Sequence, residues 1–186
     1  PNAATFVGEA SLDVENLAPF SALAGTPMEG RVALRSTLDL REGVQGFDAT
    51  LEIPGATIAG TPLGGTLTAR GTLAALDATL EARAMDARLS TRARVAQDGA
   101  VRRIEIPDLV LRRGADSLRL AAPARIGIGA DGAVAIDALA LTTSRGGTLR
   151  AEGRWGPETA DIRANLAALP VAAIAALAAP DLAVLA

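Results

Sequence analysis

Apolar and polar residues alternate with period two along most of the chain. The pattern is clearest in the segment 32–40, where Val or Leu fills most even positions while Arg35, Thr37 and Asp39 fall on odd ones. Successive side chains of a β-strand point to opposite faces, so such a segment predicts a strand with one apolar face. The alternation recurs to residue 166 and predicts about a dozen strands, with 104–106 and 109–111 taken as two separate ones.

Pairs of turn-forming residues interrupt the alternation at short intervals. Asp98-Gly99 and Asp131-Gly132 are typical of hairpin turns, because a type I′ turn needs positive φ at both central residues. Further turns are predicted at Glu42-Gly43, Pro54-Gly55, Gly64-Gly65, Arg113-Gly114, Gly146-Gly147 and Gly156-Pro157. We therefore expect neighbouring strands to pair antiparallel.

Two Ala-rich segments lose the alternation, and prolines lie near both of their ends. We predict short helices at 16–26 and 169–179, the second beginning a further repeat, with the main sheet at 31–164. The second helix has about ten residues, near half of what a membrane span needs, so a transmembrane segment is not expected. Because the chain opens at Pro1 and stops inside an apolar run, we expect residues 1–186 to be an internal segment of a larger repetitive protein.

Composition narrows the chemistry. The chain has no Cys and no His, which removes thiolate and imidazole catalysis and the usual zinc sites. All 18 basic residues are Arg, yet the net charge is −3, so a nucleic-acid partner is not expected. We expect a non-enzymatic protein without a cofactor or a metal.

Three local motifs suggest chemistry but have simpler interpretations. Residues 127–132 spell the dinucleotide fingerprint GxGxxG, but the alternation of Val134 and Ile136 predicts a strand where that fingerprint needs a helix. Asp77 and Glu81 share a face with basic and hydroxyl side chains, which favours a solvated face over a carboxylate pair. The arginine stripe at 88, 92 and 94 could contact lipid phosphates, but cross-strand partners such as Glu81 and Glu105 are favoured.

The apolar face needs a cover, which can be a second layer, the curled sheet itself or a bound apolar ligand. Three Phe, one Trp and no Tyr leave little bulk to fill a closed sandwich or barrel. We therefore predict a mostly β fold, an elongated antiparallel sheet curled into a U-shaped apolar groove that binds phospholipid acyl chains. The predicted lining residues are Val32, Leu34, Leu38, Leu40, Leu51, Ile53, Leu67, Leu73, Leu76, Leu80, Leu89, Val95, Ile104, Ile106, Leu118, Leu120, Ile126, Ile128, Val134, Ile136, Leu149 and Trp155.

Recurring phrases carry a family resemblance. Gly-Thr-Leu recurs at 65–67, 71–73 and 147–149, and the Ala-rich phrases 17–25 and 169–180 flank the alternating strands. This combination resembles the TamB family of the AsmA-like group, across nearly the whole chain. The resemblance implies a periplasmic protein anchored in the inner membrane, built as a folded-over β-taco-like sheet. It also implies phospholipid transport and a role in outer-membrane assembly. The outer-membrane barrel protein TamA would be the partner of other parts of the larger protein.

Two alternatives remain open. The sheet edges could hold unfolded outer-membrane protein strands by β-augmentation, which would make the segment a structural or chaperone module. An adhesin-like β-solenoid would need regular short rungs, and the irregular strand lengths make it the weaker alternative.

Overall fold

The computed structural model describes residues 6–41, 44–72, 74–156 and 160–168, and most of them lie in antiparallel strands. The chain divides into an N-terminal unit, residues 1–85, and a C-terminal unit, residues 86–186. Strands of the N-terminal unit are β1 (Gly8–Val14), β2 (Met28–Arg41), β3 (Val44–Ile58), β4 (Thr61–Thr72) and β5 (Ala75–Ala84). Strands of the C-terminal unit are β6 (Ala87–Asp98), β7 (Val101–Arg113), β8 (Asp116–Leu120), β9 (Ala124–Ile128), β10 (Val134–Thr143), β11 (Thr148–Trp155) and β12 (Ala160–Ala167). The prediction of a mostly β, antiparallel fold is confirmed.

The N-terminal unit is a meander in which each strand pairs with the next along the chain, from β1 to β5. Between β1 and β2 lie one 3-10 turn, Ala18–Phe20, and the short helix α1, Ser21–Ala24. The helix ends at Gly25, whose φ of 64° is the left-handed conformation that glycine adopts without a steric penalty. These turns fall inside the predicted helix 16–26, whereas the predicted helix 169–179 lies outside the described residues.

The C-terminal unit departs from a simple meander at β8 and β9. Both strands pair with β7 on one side and with β10 on the other, at different levels of the sheet. The break between them falls at Ala121-Ala122-Pro123, where proline provides no backbone N–H for a ladder. Beyond them, β10 pairs with β11 and β11 with β12.

Two predicted turns are wrong, because Pro54-Gly55 lies inside β3 and Gly64-Gly65 lies inside β4. Pro54 and Gly55 together oppose the single residue Gly64, which makes a β-bulge rather than a chain reversal. At Gly65, a Cβ would meet the carbonyl oxygen of Glu81 on β5, so glycine is needed for the close approach of two strands. The chain reverses instead at Ala59-Gly60.

Bulges also explain why apolar positions change from even to odd numbers along single strands. Ile106 and Pro107 together oppose one residue of β6, so Ile104 and Leu109 lie on the same face of β7. The segments 104–106 and 109–111 are therefore one strand, not two. Asp137 and Ala138 form the corresponding bulge in β10 opposite β11.

Each unit is a single layer of sheet in the described part of the chain. The only apolar residues there that are fully buried are Leu17, Ala33, Ala56 and Ala124. Three of these are alanines, so Leu17, still 8% exposed, is the one large apolar side chain that is buried among the described residues. Among the described residues, substantial contacts join paired strands, and the 3-10 turn contacts β2 and α1.

Candidate binding face

Five leucines lie side by side across the N-terminal unit. The strand registers align Leu12, Leu34, Leu51, Leu67 and Leu80 in one row, one from each strand. Directly opposed side chains have Cβ atoms about 4.5–5.5 Å apart, so these leucines form a continuous strip. The strip is open to solvent, since Leu12 is 56% and Leu67 37% exposed.

Further apolar rows flank this leucine strip on the same face. Leu38, Phe47 and Leu76 align on one side of it, separated from it by a row of small residues that includes Ala49 and Ala69. Leu12 and Phe47 belong to this face but were not among the predicted lining residues. Alternation in β1 was the signal for Leu12, and for Phe47 the signal was its place in the period-two run with Ala49, Leu51 and Ile53.

The C-terminal unit presents the same kind of face. Val95, Ile104, Ile126 and Ile136 align in one row across β6, β7, β9 and β10. Leu120, Leu141, Leu149 and Leu166 align in another across β8, β10, β11 and β12. A third row holds Ile128, Val134 and Trp155, and Trp155 is 60% exposed.

Within each unit, the registers place the described members of the predicted lining on one face. Leu73 lies outside the described residues. Those on the N-terminal unit are Val32, Leu34, Leu38, Leu40, Leu51, Ile53, Leu67, Leu76 and Leu80. Those on the C-terminal unit are Leu89, Val95, Ile104, Ile106, Leu118, Leu120, Ile126, Ile128, Val134, Ile136, Leu149 and Trp155. Sequence reasoning did not include Leu109 and Leu141 in the lining, although both lie in the rows of this face.

The opposite face of the N-terminal unit is polar and paired. Arg70 binds Asp48 through Nε at 2.6 Å and Nη2 at 3.2 Å, and Arg35 lies 3.4 Å from Glu52. A shallow depression of about 750 Å³ opens on this polar face, where eight of its twelve lining residues have their side chains. The residues around it are Glu9, Ala10, Ser11, Arg35, Ser36, Thr37, Asp48, Ala49, Thr50, Thr68, Ala69 and Arg70.

Asp77 and Glu81 lie on this polar face as well. Asp77 is opposite Arg70, whereas Glu81 is opposite Thr66. Both carboxylates belong to solvent-exposed residues. This is the arrangement that the solvated-face interpretation predicts.

Arginines of the C-terminal unit also lie mainly on the polar face. Arg92 Nε donates to Asp108 Oδ1 at 2.7 Å, and Arg94 is directly opposite Glu105. Arg88 differs, because the residue directly opposite it on β7 is Arg112. The cross-strand interpretation therefore describes part of the predicted arginine stripe, and Arg88 needs another explanation.

Two aspartates form two-pronged pairs with arginine. Arg31 binds both carboxylate oxygens of Asp13, at 3.0 and 2.5 Å, and Arg145 binds both of Asp116, at 2.6 and 3.0 Å. Hydrogen bonds from these guanidinium groups lower the pKa of Asp13 and of Asp116 below the ordinary value of 3.8. Both pairs join segments distant in sequence, β1 to β2 and the β10–β11 turn to β8.

The glycine fingerprint of residues 127–132 has no helix behind it. Strand β9 ends at Ile128, a turn follows, and β10 begins at Val134. Without a helix N-terminus there is no donor array for a pyrophosphate group.

The described residues contain no group of His, Cys, Asp and Glu side chains that could hold a metal ion. Among them, no helix reaches the length and apolar character of a membrane span. Comparison of the chain with protein-family models, curated proteins and solved structures found no match.

Proposed function

We propose that the apolar faces of the two units bind phospholipid acyl chains, as a groove segment of a longer periplasmic protein that carries lipids between the inner and outer membranes. The observation that carries this proposal is the leucine strip of the N-terminal unit. Five leucines in register, two of them exposed and three half-buried, form an apolar surface that no other described element of the unit covers. A surface of this kind binds an apolar partner or aggregates.

Acyl chains suit this surface for two physical reasons. A row of leucines across five strands is about 20 Å long at a strand spacing near 4.8 Å, which matches an extended hydrocarbon chain rather than a compact ligand. Each buried methylene contributes about 0.8 kcal/mol, so a long chain gains enough free energy without polar contacts. Three Phe, one Trp and no Tyr also leave little aromatic bulk to fill such a surface.

The resemblance to the TamB family supports the periplasmic location and the lipid-transport role. In that family's arrangement the larger protein is anchored in the inner membrane, other parts of it engage the TamA barrel, and lipid transport supports outer-membrane assembly. The present chain contributes the surface along which lipid tails lie, and no catalytic step.

Paired substitutions in adjacent residues test the proposal. Leu80→Asp and Leu149→Asp put a carboxylate on the apolar face of each unit, and Thr79→Asp and Thr148→Asp put one on the polar face of the same strands. Native mass spectrometry and lipid extraction should find phospholipid bound to the purified unsubstituted chain and to the two Thr variants. Both Leu variants should lose it. The proposal is contradicted if the unsubstituted chain binds no phospholipid after incubation with it. It is also contradicted if all four variants lose bound phospholipid equally.

A second candidate function rests on the outer strands. All eight residues of β12 are exposed, and six of the seven residues of β1 are exposed too. An exposed strand edge can add a strand of a client protein by β-augmentation. A photo-crosslinker at Asn165 on β12 and one at Leu149 on the apolar face separate the candidates, because client polypeptide should react at Asn165 and acyl chains at Leu149.

A further inference from the structure

Two arginines face each other in the C-terminal unit. Arg88 of β6 is directly opposite Arg112 of β7, and the next residue in the same row is Ser117 of β8. Like charges in directly opposed positions destabilise a sheet. Both arginines are exposed. Among the described residues, no ion pair or hydrogen bond is found for the side chain of either.

Arg119 is a third arginine on this face, in the neighbouring row. Its row contains Val110 and Thr142, and it lies diagonal to Arg112 on the polar face. Its side chain extends toward β10, where Nε donates to Thr142 Oγ1 at 3.4 Å, on the side of β8 away from β7. Diagonal neighbours on a sheet lie about 7–8 Å apart, which long side chains such as arginine span. The two rows therefore combine three positive charges with hydroxyl groups.

We call Arg88, Arg112 and Arg119 the arginine cluster. The carboxylates near this cluster are bound to other arginines. Asp86 accepts a hydrogen bond from Arg113 Nε at 2.8 Å. Asp116 is held by Arg145 and Asp108 by Arg92. On β6, β7, β8 and β10, the described residues of the two rows include no Asp or Glu. Among the described residues, no ion pair is found for Arg88, Arg112 or Arg119.

We propose that the arginine cluster binds a phosphate group. The planar guanidinium fork matches two phosphate oxygens, and charge-assisted hydrogen bonds of this kind are the strong ones. A bound dianion would also relieve the repulsion between Arg88 and Arg112, and the Ser117 hydroxyl lies in the same row as a further donor. The cluster is on the face opposite the apolar rows, so the site is separate from the acyl-chain surface and stands or falls independently of it.

The phosphate could be a free ion or part of a lipid headgroup, and the test distinguishes the two. Purified chain is titrated with sodium phosphate by calorimetry, against sodium chloride at equal ionic strength. It is then mixed with phosphatidylcholine vesicles that contain or lack phosphatidic acid. Binding of inorganic phosphate identifies a site open to the free ion, whereas binding only to vesicles with phosphatidic acid identifies a headgroup site.

Variants make the assignment specific. Arg88→Gln and Arg112→Gln should each weaken phosphate or vesicle binding about tenfold or more, since each removes a charged donor. Arg150→Gln is the matched control, because Arg150 is an exposed arginine of β11 whose cross-strand neighbours are Ala140 and Asn165. Its binding should change less than about twofold.

Thermal unfolding midpoints show whether a variant loses binding because it has lost its fold. Without phosphate, Arg88→Gln should keep or raise the midpoint of the parent sequence, because it removes a like-charge pair. If the site takes the free ion, phosphate should raise the midpoint of the unsubstituted chain and of Arg150→Gln, and not that of Arg88→Gln. The proposal is overturned if phosphate and chloride give equal heats and vesicles with and without phosphatidic acid bind equally. It is also overturned if Arg88→Gln and Arg150→Gln lose the same amount of binding.

Discussion

The N-terminal and C-terminal units share an apolar face but differ on the polar one. Residues 1–85 contain five arginines against ten carboxylates, a net charge of −5, whereas residues 86–186 contain 13 arginines against 11, a net charge of +2. In the N-terminal unit every arginine whose side chain is described has an acceptor, including Arg83, which donates to the Pro54 carbonyl oxygen at 2.6 Å. In the C-terminal unit, Arg88 and Arg112 have none among the described residues.

This difference separates two kinds of requirement. Apolar rows recur in both units although the strand orders differ, so the apolar face follows a shared requirement. The polar face varies because solvent accepts many arrangements of charge. In the described part of the chain, two opposed arginines without acidic partners on the polar face are therefore specific to the C-terminal unit. A function common to both units is expected on the apolar face.

The largest stability effect is expected at a glycine of the C-terminal unit. Gly153 has a φ of 142°, and a Cβ there would meet the backbone of Asp161 and Ile162 on β12. Gly153→Ala should lower the free energy of unfolding by about 1–3 kcal/mol. Gly127→Ala is the control, because a Cβ there meets Ala135 and Val101 at 3.9 Å, an ordinary contact. Chemical denaturation of both variants measures the contrast, and similar losses would show that the close approach of β11 and β12 is not maintained.

The next effect tests whether the leucine strip is open. Leu51 occupies the middle of the strip and is only half-buried. Without lipid, Leu51→Ala should cost about 1 kcal/mol, since only part of the leucine side chain is withdrawn from water. The same change in a closed core costs roughly 2–5 kcal/mol. A cost in that higher range, measured by denaturation of delipidated protein, would mean that another layer covers the strip.

A smaller effect depends on pH and compares one ion pair from each unit. Because the pKa of Asp13 and of Asp116 is lowered in the folded protein, each pair stabilises the fold above the ordinary carboxyl pKa of 3.8. This contribution is lost as the pH falls through the folded-state pKa. Asp13→Asn and Asp116→Asn should lower the unfolding midpoint at neutral pH and converge with the parent sequence in acid. Curves that stay parallel at all pH values would argue against the pairs.

The smallest effect is expected at an exposed pair of the N-terminal unit. The side chain of Arg70 is 76% exposed although its Nε lies 2.6 Å from Asp48 Oδ1. Exposed ion pairs contribute about 0–1 kcal/mol, and salt screens them. Arg70→Gln should stay within this range and approach the parent sequence as salt is raised, as followed by denaturation at two ionic strengths. A loss well above that range would mean that the polar face of the N-terminal unit also has a binding or core role.

Sequence reasoning predicted the β class and the residues of the apolar face because period-two alternation follows directly from strand geometry. It mistook Pro54-Gly55 for a turn, since the same residues suit a bulge and a reversal, and only the register with β4 distinguishes them. The opposition of Arg88 and Arg112 was also out of reach. Cross-strand neighbours depend on the register between β6 and β7, which the bulge at Pro107 shifts by one residue.

The most direct test of lipid binding uses Trp155, the single Trp of a chain without Tyr. It lies in a row of the apolar face with Val134 and Ile128, and it is 60% exposed. Fluorescence is recorded with phospholipids that carry bromine on their acyl chains. We predict a blue shift and strong quenching in the parent sequence and in Thr148→Asp, and neither in Leu149→Asp. Unchanged emission of the parent sequence and no quenching by brominated chains would contradict acyl-chain binding at this face.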